Sequence, residues 1–97
     1  MKNVNFENVQ ELLDDGKKPQ EVFDVCHNFC VGFARVRLNG KYNYIGKNRK
    51  LLSPNLWFGY TYDFYEGFGV VRLNEKENFI DKNGNLLSKQ WFAIQLY

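Results

Sequence analysis

The chain has 97 residues, a quarter of them charged, a formal net charge of +2 and 18% aromatic residues. That length supports one modest core and a single domain, residues 1–97. No apolar run approaches the roughly 20 residues that cross a bilayer. The polar start from Met1 to Phe6 predicts no secretory leader, and two cysteines do not make a disulfide framework, so cytoplasmic placement is expected.

Residues 1–21 read as a helical cap. Phe6, Val9, Leu12 and Leu13 recur at helical spacing, with Glu7, Gln10, Glu11, Asp14 and Asp15 opposite them. Gly16 suits a left-handed helix end, and Pro19 suits the first position of a second short turn. Such a helix is stabilised mainly by packing its apolar stripe, here expected against the open end of a repeat stack.

The repeat occupies the rest of the chain. Residues 23–53 align without a gap on residues 58–88 at an offset of 35, with sixteen identical pairs, among them Gly32/Gly67, Val36/Val71, Asn43/Asn78, Ile45/Ile80 and Ser53/Ser88. A period of this length marks a supersecondary unit that buries its apolar face against a copy of itself. The units span residues 22–56 and 57–90, and Trp91-Phe92, matching Trp57-Phe58, opens a partial third over 91–97. Each unit is expected to hold three strands: Phe33 to Leu38, Tyr42 to Ile45 and a third about Leu51-Leu52, with Phe68 to Leu73, Glu77 to Ile80 and Leu86-Leu87 in the second copy. The fold class is thus α+β, mainly β: two antiparallel three-stranded meanders, a partial third and a helical cap.

Asn39-Gly40 is a strong two-residue hairpin signal, since both central residues of a type I′ turn need positive φ. Asn74-Glu75 takes its place in the second copy. Counting outward pairs Val36 with Asn43, Ala34 with Ile45 and Arg37 with Tyr42, then Val71 with Asn78, Gly69 with Ile80 and Arg72 with Glu77. Arg37 over Tyr42 reads as a cation–π contact and Arg72 with Glu77 as an ion pair.

The sequence Phe29-x-x-Gly32-Phe33-Ala34-x-Val36-x-x-Asn39-Gly40-Lys41, followed by Tyr44-Ile45, resembles the WG-repeat family. The second copy repeats it with Phe64, Gly67, Phe68, Val71, Asn74 and Lys76, then Phe79-Ile80. The resemblance implies an interaction scaffold of the kind found in bacterial and phage proteins. Where the family has Trp-Gly, this chain has Tyr42-Asn43 and Glu77-Asn78, and Asn suits a left-handed backbone in place of Gly. A two-unit array is short for the family and points to a specialised, self-contained protein.

No chemistry-bearing constellation stands out. Cys26, His27 and Cys30 fall short of the four ligands of a closed zinc site, and they are Thr61, Tyr62 and Tyr65 in the second copy. No metal, no cofactor and no enzymatic activity are expected, because no nucleophile–base set is visible.

Charge separates the copies. Residues 1–25 carry three bases against six acids, residues 26–56 carry six bases and no acid, and residues 57–97 carry four bases against five acids. One reading folds the acidic helix back on the basic unit. The other makes a binding face of Arg35, Arg37, Lys41, Tyr42, Tyr44, Lys47, Arg49 and Lys50 for a protein with an acidic surface. That second reading extends to a small phage or bacterial effector inhibiting a host protein such as a defence nuclease. The alternative is nucleic acid or a phosphate ligand on the same unit. Trp91, Phe92, Ile94, Leu96 and Tyr97 form an apolar terminal edge, for which pairing in a homodimer is expected.

Overall fold

Two β-hairpins organise the molecule, and in the computed structural model, which describes residues 3–94, each forms the main part of its own antiparallel sheet. The first sheet has the order β1 (Val25–Cys26), β2 (Phe33–Leu38), β3 (Lys41–Gly46). The second has the order β4 (Tyr60–Thr61), β5 (Phe68–Leu73), β6 (Lys76–Asp81), β7 (Phe92–Ala93). The strands β4, β5 and β6 begin 35 residues after β1, β2 and β3. The chain is mainly β, with two short helices, α1 (Val9–Asp14) and α2 (Pro19–Val22), ahead of the sheets.

Both hairpins have the register that counting from the turn gives. Val36 faces Asn43 and Ala34 faces Ile45, while Val71 faces Asn78 and Gly69 faces Ile80. Asn39 and Gly40 have φ of 50° and 81°, and Asn74 and Glu75 have 53° and 64°. The second turn therefore keeps the two-residue geometry although it lacks the glycine. A glutamate held left-handed carries a conformational cost that glycine does not.

The third strand of each unit precedes the hairpin instead of coming after it. β1 and β4 are two residues long and pair with β2 and β5. They reach that position through second tight turns, Val31-Gly32 and Glu66-Gly67, whose residues all have positive φ. Leu51 and Leu86, expected at the centres of strands, make only single bridges, to Ile45 and Ile80.

Asn43 and Asn78 explain why pairing stops there. Neither is left-handed, as substitution for a family glycine would have it; both are fully buried strand residues. The Asn43 carboxamide oxygen accepts from the Tyr44 N–H at 2.8 Å and the Ser53 N–H at 3.2 Å, and its nitrogen donates to the Ser53 carbonyl at 2.7 Å. The Tyr44 carbonyl still accepts from Leu52, but the side chain has taken the N–H that a longer ladder would use. In the second unit Asn78 accepts from Phe79 N–H at 2.8 Å and donates to the Ser88 carbonyl at 2.9 Å.

Two cores result. Val9 and Leu13 of α1, with Val22 and Phe23, pack on Ala34, Val36, Leu38, Ile45 and Leu51 of the first sheet. Full burial of a Val or Leu side chain is worth about 1.5–3 kcal/mol. Leu12 begins the exit from α1: Lys17 N–H bonds the Leu12 carbonyl and Gly16 N–H the Leu13 carbonyl, a Schellman ending with Gly16 at φ 96°. The second core holds Tyr44, Phe58, Phe64, Val71 and Ile80, with Phe33 against it. It joins the outward face of the first sheet to the inward face of the second. A Cβ at Gly69 would lie 2.6 Å from the Tyr44 hydroxyl, so the position occupied by Ala34 in the first unit is glycine in the second.

Replacing Asn43 with Ala strands buried backbone groups of Tyr44 and Ser53, at about 1–3 kcal/mol each. Asn43→Ala is expected to lower unfolding free energy by roughly 3 kcal/mol or more in urea titration. Glu75→Gly should act oppositely, stabilising by up to about 1 kcal/mol and raising the melting temperature by about 4–8 °C.

Candidate interaction surface

The predicted basic set does not gather on one face. Arg49 and Lys50 turn towards α1. Arg49 has φ 69° at the position that is Gly84 in the second unit, and its guanidinium donates to the Leu13 carbonyl at 2.9 Å and to the Lys17 carbonyl. Leu13 is in the last turn of α1 and Lys17 follows its end, where a cation is favoured by the helix dipole. Lys50 Nζ lies 2.8 Å from Asp14, and this bond holds the Asp14 carboxyl below its usual pKa. Gln10, placed by helical spacing on the solvent face, binds the same loop: it accepts from Leu51 N–H at 2.8 Å and donates to the Arg49 carbonyl at 3.0 Å. At this contact the acidic helix and the basic unit do meet.

Tyr44 is fully buried and belongs to the second core. Burial pushes its phenol pKa well up, so the hydroxyl stays protonated and donates to the carbonyls of Tyr62 and, at 3.3 Å, Val70. Lys47 lies 5.8 Å from the ring of Phe29, and Lys41 is exposed at the start of β3. Cys26 and Cys30 are partly buried, and burial raises the Cys26 thiol pKa. Among the described residues no three His, Cys, Asp or Glu side chains are grouped as a metal site.

Arg35, Arg37 and Tyr42 do come together, as part of an aromatic ladder that crosses from one sheet to the other. The Tyr42 ring lies 4.9 Å from Tyr60, and Tyr60 lies 4.9 Å edge-on from Tyr62. Arg37 covers Tyr42 at 5.9 Å and Arg72 covers Tyr62 at 5.3 Å. Arg35 reaches over from the first sheet, donating to the Tyr60 hydroxyl at 3.3 Å and the Thr61 carbonyl at 3.1 Å, with Asp63 at 2.9 Å. Burial alone would lower its pKa, but Tyr60 and Asp63 outweigh that and raise it. Arg72 is fixed by Glu77 at 2.8 Å, which raises its pKa.

Backbone pairing sets this order. Tyr42 of β3 bridges Phe58, and two residues beyond Phe58 the second sheet begins at Tyr60. Tyr60 then faces Arg72 in register. Beside the ladder, Gly59, Tyr60, Arg72, Leu73 and Ile94 line an open cleft of about 370 Å³. Tyr60 and Tyr62 escape a search for shared residues because their counterparts are Val25 and His27. The Tyr-x-Tyr alternation after Trp57-Phe58 was the available signal.

Of the expected terminal edge, Trp91 packs against the second core, Phe92 lies exposed in β7 and Ile94 lines the cleft. Leu96 and Tyr97 lie outside the described residues. Among the described residues no helix is long and apolar enough to cross a membrane.

The fold is that of a small mainly β module whose surface is built from ordered aromatic and guanidinium groups. Residues 22–42, from the end of α2 through the first hairpin turn, match the family model of the WG-containing repeat. No curated protein and no solved structure matches the chain.

Arg49 combines an unfavourable backbone with a favourable side chain, and substitution can separate them. Arg49→Ala loses the bonds to α1 and keeps the left-handed cost, whereas Arg49→Gly loses only the bonds. Arg49→Ala is expected to be less stable than Arg49→Gly by about 1 kcal/mol in parallel denaturant titrations.

Proposed function

We propose that the protein is a non-enzymatic protein-interaction module that binds its partner through the Arg37–Tyr42–Tyr60–Tyr62–Arg72 ladder and the cleft beside it. The observation that carries this reading is the ladder itself. Tyrosine and arginine dominate binding hot spots because they combine large contact area with directional polar groups. Here they are held by one another and by Asp63 and Glu77, so little side-chain freedom remains to be lost on binding.

The wider architecture supports the same role. We infer two successive units of one repeat with the beginning of a third, and the N-terminal helices as the cap of the first unit. Arg37, Lys41 and Lys47 form no ion pair among the described residues. Arg37, over Tyr42, and Lys41, next to it in β3, give the ladder a basic margin suited to a partner with an acidic surface. In the bacterial or phage setting that the WG resemblance implies, such a module acts in the cytoplasm as an effector occupying a host protein such as a defence nuclease.

Nucleic acid is the second reading, because stacked tyrosines and arginines also make a platform for bases. Charge argues against it: Arg49, Lys50 and Arg35 are engaged within the fold, leaving few cations for phosphates.

Affinity capture from bacterial lysate with wild type, Tyr60→Ala/Tyr62→Ala and Lys41→Glu/Lys47→Glu tests the proposal. A partner should be lost with the tyrosine pair, with at least about tenfold weaker binding, while the lysine pair slows association. Capture unaffected by removal of both tyrosines refutes the ladder. Binding of single-stranded oligonucleotide that weakens steeply with salt would favour the second reading.

A further inference from the structure

We propose that the outward face of the second sheet is a self-association surface, on which a second copy of this chain docks face to face about a twofold axis. This goes beyond the ladder reading, and it concerns the apolar part of a face that the ladder borders, since Tyr60, Arg72, Glu77 and Phe92 pair in one row across the sheet.

The face is defined by register. Val70 pairs with Phe79, and Glu77, two residues from Phe79 on the same side, pairs with Phe92. Tyr65 and Phe68 are bridged on that side. Leu86 bridges Ile80, which belongs to the second core, so the next residue, Leu87, points outward. Phe68, Phe79, Leu87 and Phe92 are 41%, 38%, 61% and 49% exposed, and Tyr65 is 75% exposed. Soluble monomers rarely expose a contiguous apolar surface of this kind.

The first sheet shows what such a face is used for. There Phe33 and Tyr44 hold the positions of Phe68 and Phe79, and the second sheet, a unit of the same repeat, covers them. Directed polar contacts fix that covering layer: the Tyr44 hydroxyl on the Tyr62 and Val70 carbonyls, and Arg35 on the Thr61 carbonyl and Asp63. In the second sheet those two residues become Phe79 and Val70. The groups that hold a further unit in series are gone, and apolar surface stands in their place.

A second copy meets that surface with its own like face. The inward face of its first sheet is covered by α1, α2 and Phe23, which leaves the like face of the partner. Like against like is an isologous contact, and it closes at two. Arg72 and Glu77 on this face are paired with each other at 2.8 Å, so a twofold contact sets one neutralised pair against another and leaves no lone charge buried.

Sedimentation equilibrium over a wide concentration range tests this with wild type, Phe79→Glu, Leu87→Glu and Phe29→Glu, the last on an exposed residue of the first unit. Wild type should reach twice the 11.5 kDa of one chain and grow no further. Both outward-face variants should weaken the dimer by at least about a hundredfold, and Phe29→Glu should leave it unchanged. Should Phe79→Glu fail to fold by circular dichroism, Leu87→Glu, whose side chain is largely in solvent, decides the matter. A wild type that stays monomeric overturns the proposal. So does a dimer that survives Leu87→Glu, one lost equally in Phe29→Glu, or a mass that keeps rising beyond two chains.

Discussion

The buried carboxamides of Asn43 and Asn78 hold each unit together. Each lies in the second strand of a hairpin and reaches the segment that returns past it, at Ser53 or Ser88. That segment contributes no strand, and without the side chain its backbone groups would be buried unpaired. A carboxamide can satisfy a carbonyl and an N–H together, which explains why this residue and the serine ten positions on are shared by both copies. Around this clasp the copies differ chiefly in surface charge, in one residue of each tight turn and in the group that covers each face.

The copies vary according to what each one touches. Arg49 occupies a left-handed position where the second unit has Gly84, because its side chain reaches the carbonyls at the end of α1. Gly84 itself lies so near the backbone of Leu52 that a Cβ would collide with it. The six bases without an acid, which read as a binding face, are largely a consequence of such neighbours. Arg49 and Lys50 serve the helix and Arg35 serves the second sheet. Charge that looks surplus along a chain can be spoken for across the fold.

The hairpins were legible in the sequence because a two-residue turn fixes register by counting, and Asn39-Gly40 supplied the turn. The helix end at Gly16 and the start at Pro19 came from equally local rules. The short strands β1 and β4 were not legible, since two residues carry no alternation and the turns before β2 and β5 begin with Val31 and Glu66, which rarely adopt positive φ. Analogy with glycine misleads at Asn43, whose role comes from its amide and not from its backbone. The tyrosine ladder was hidden for a different reason: it exists only where two units meet, so its tyrosines, unlike Arg37 and Arg72, have no counterpart in the other copy.

The closeness of Tyr44 to Gly69 reaches beyond packing into how such an array could lengthen. Duplicating the first unit in tandem would set the methyl of a second Ala34 where the tyrosine hydroxyl needs empty space. Duplicating the second would bring up a Phe79 with no hydroxyl to reach the next chain segment. Each unit is thus written for its place in the order, and simple copying no longer extends the series.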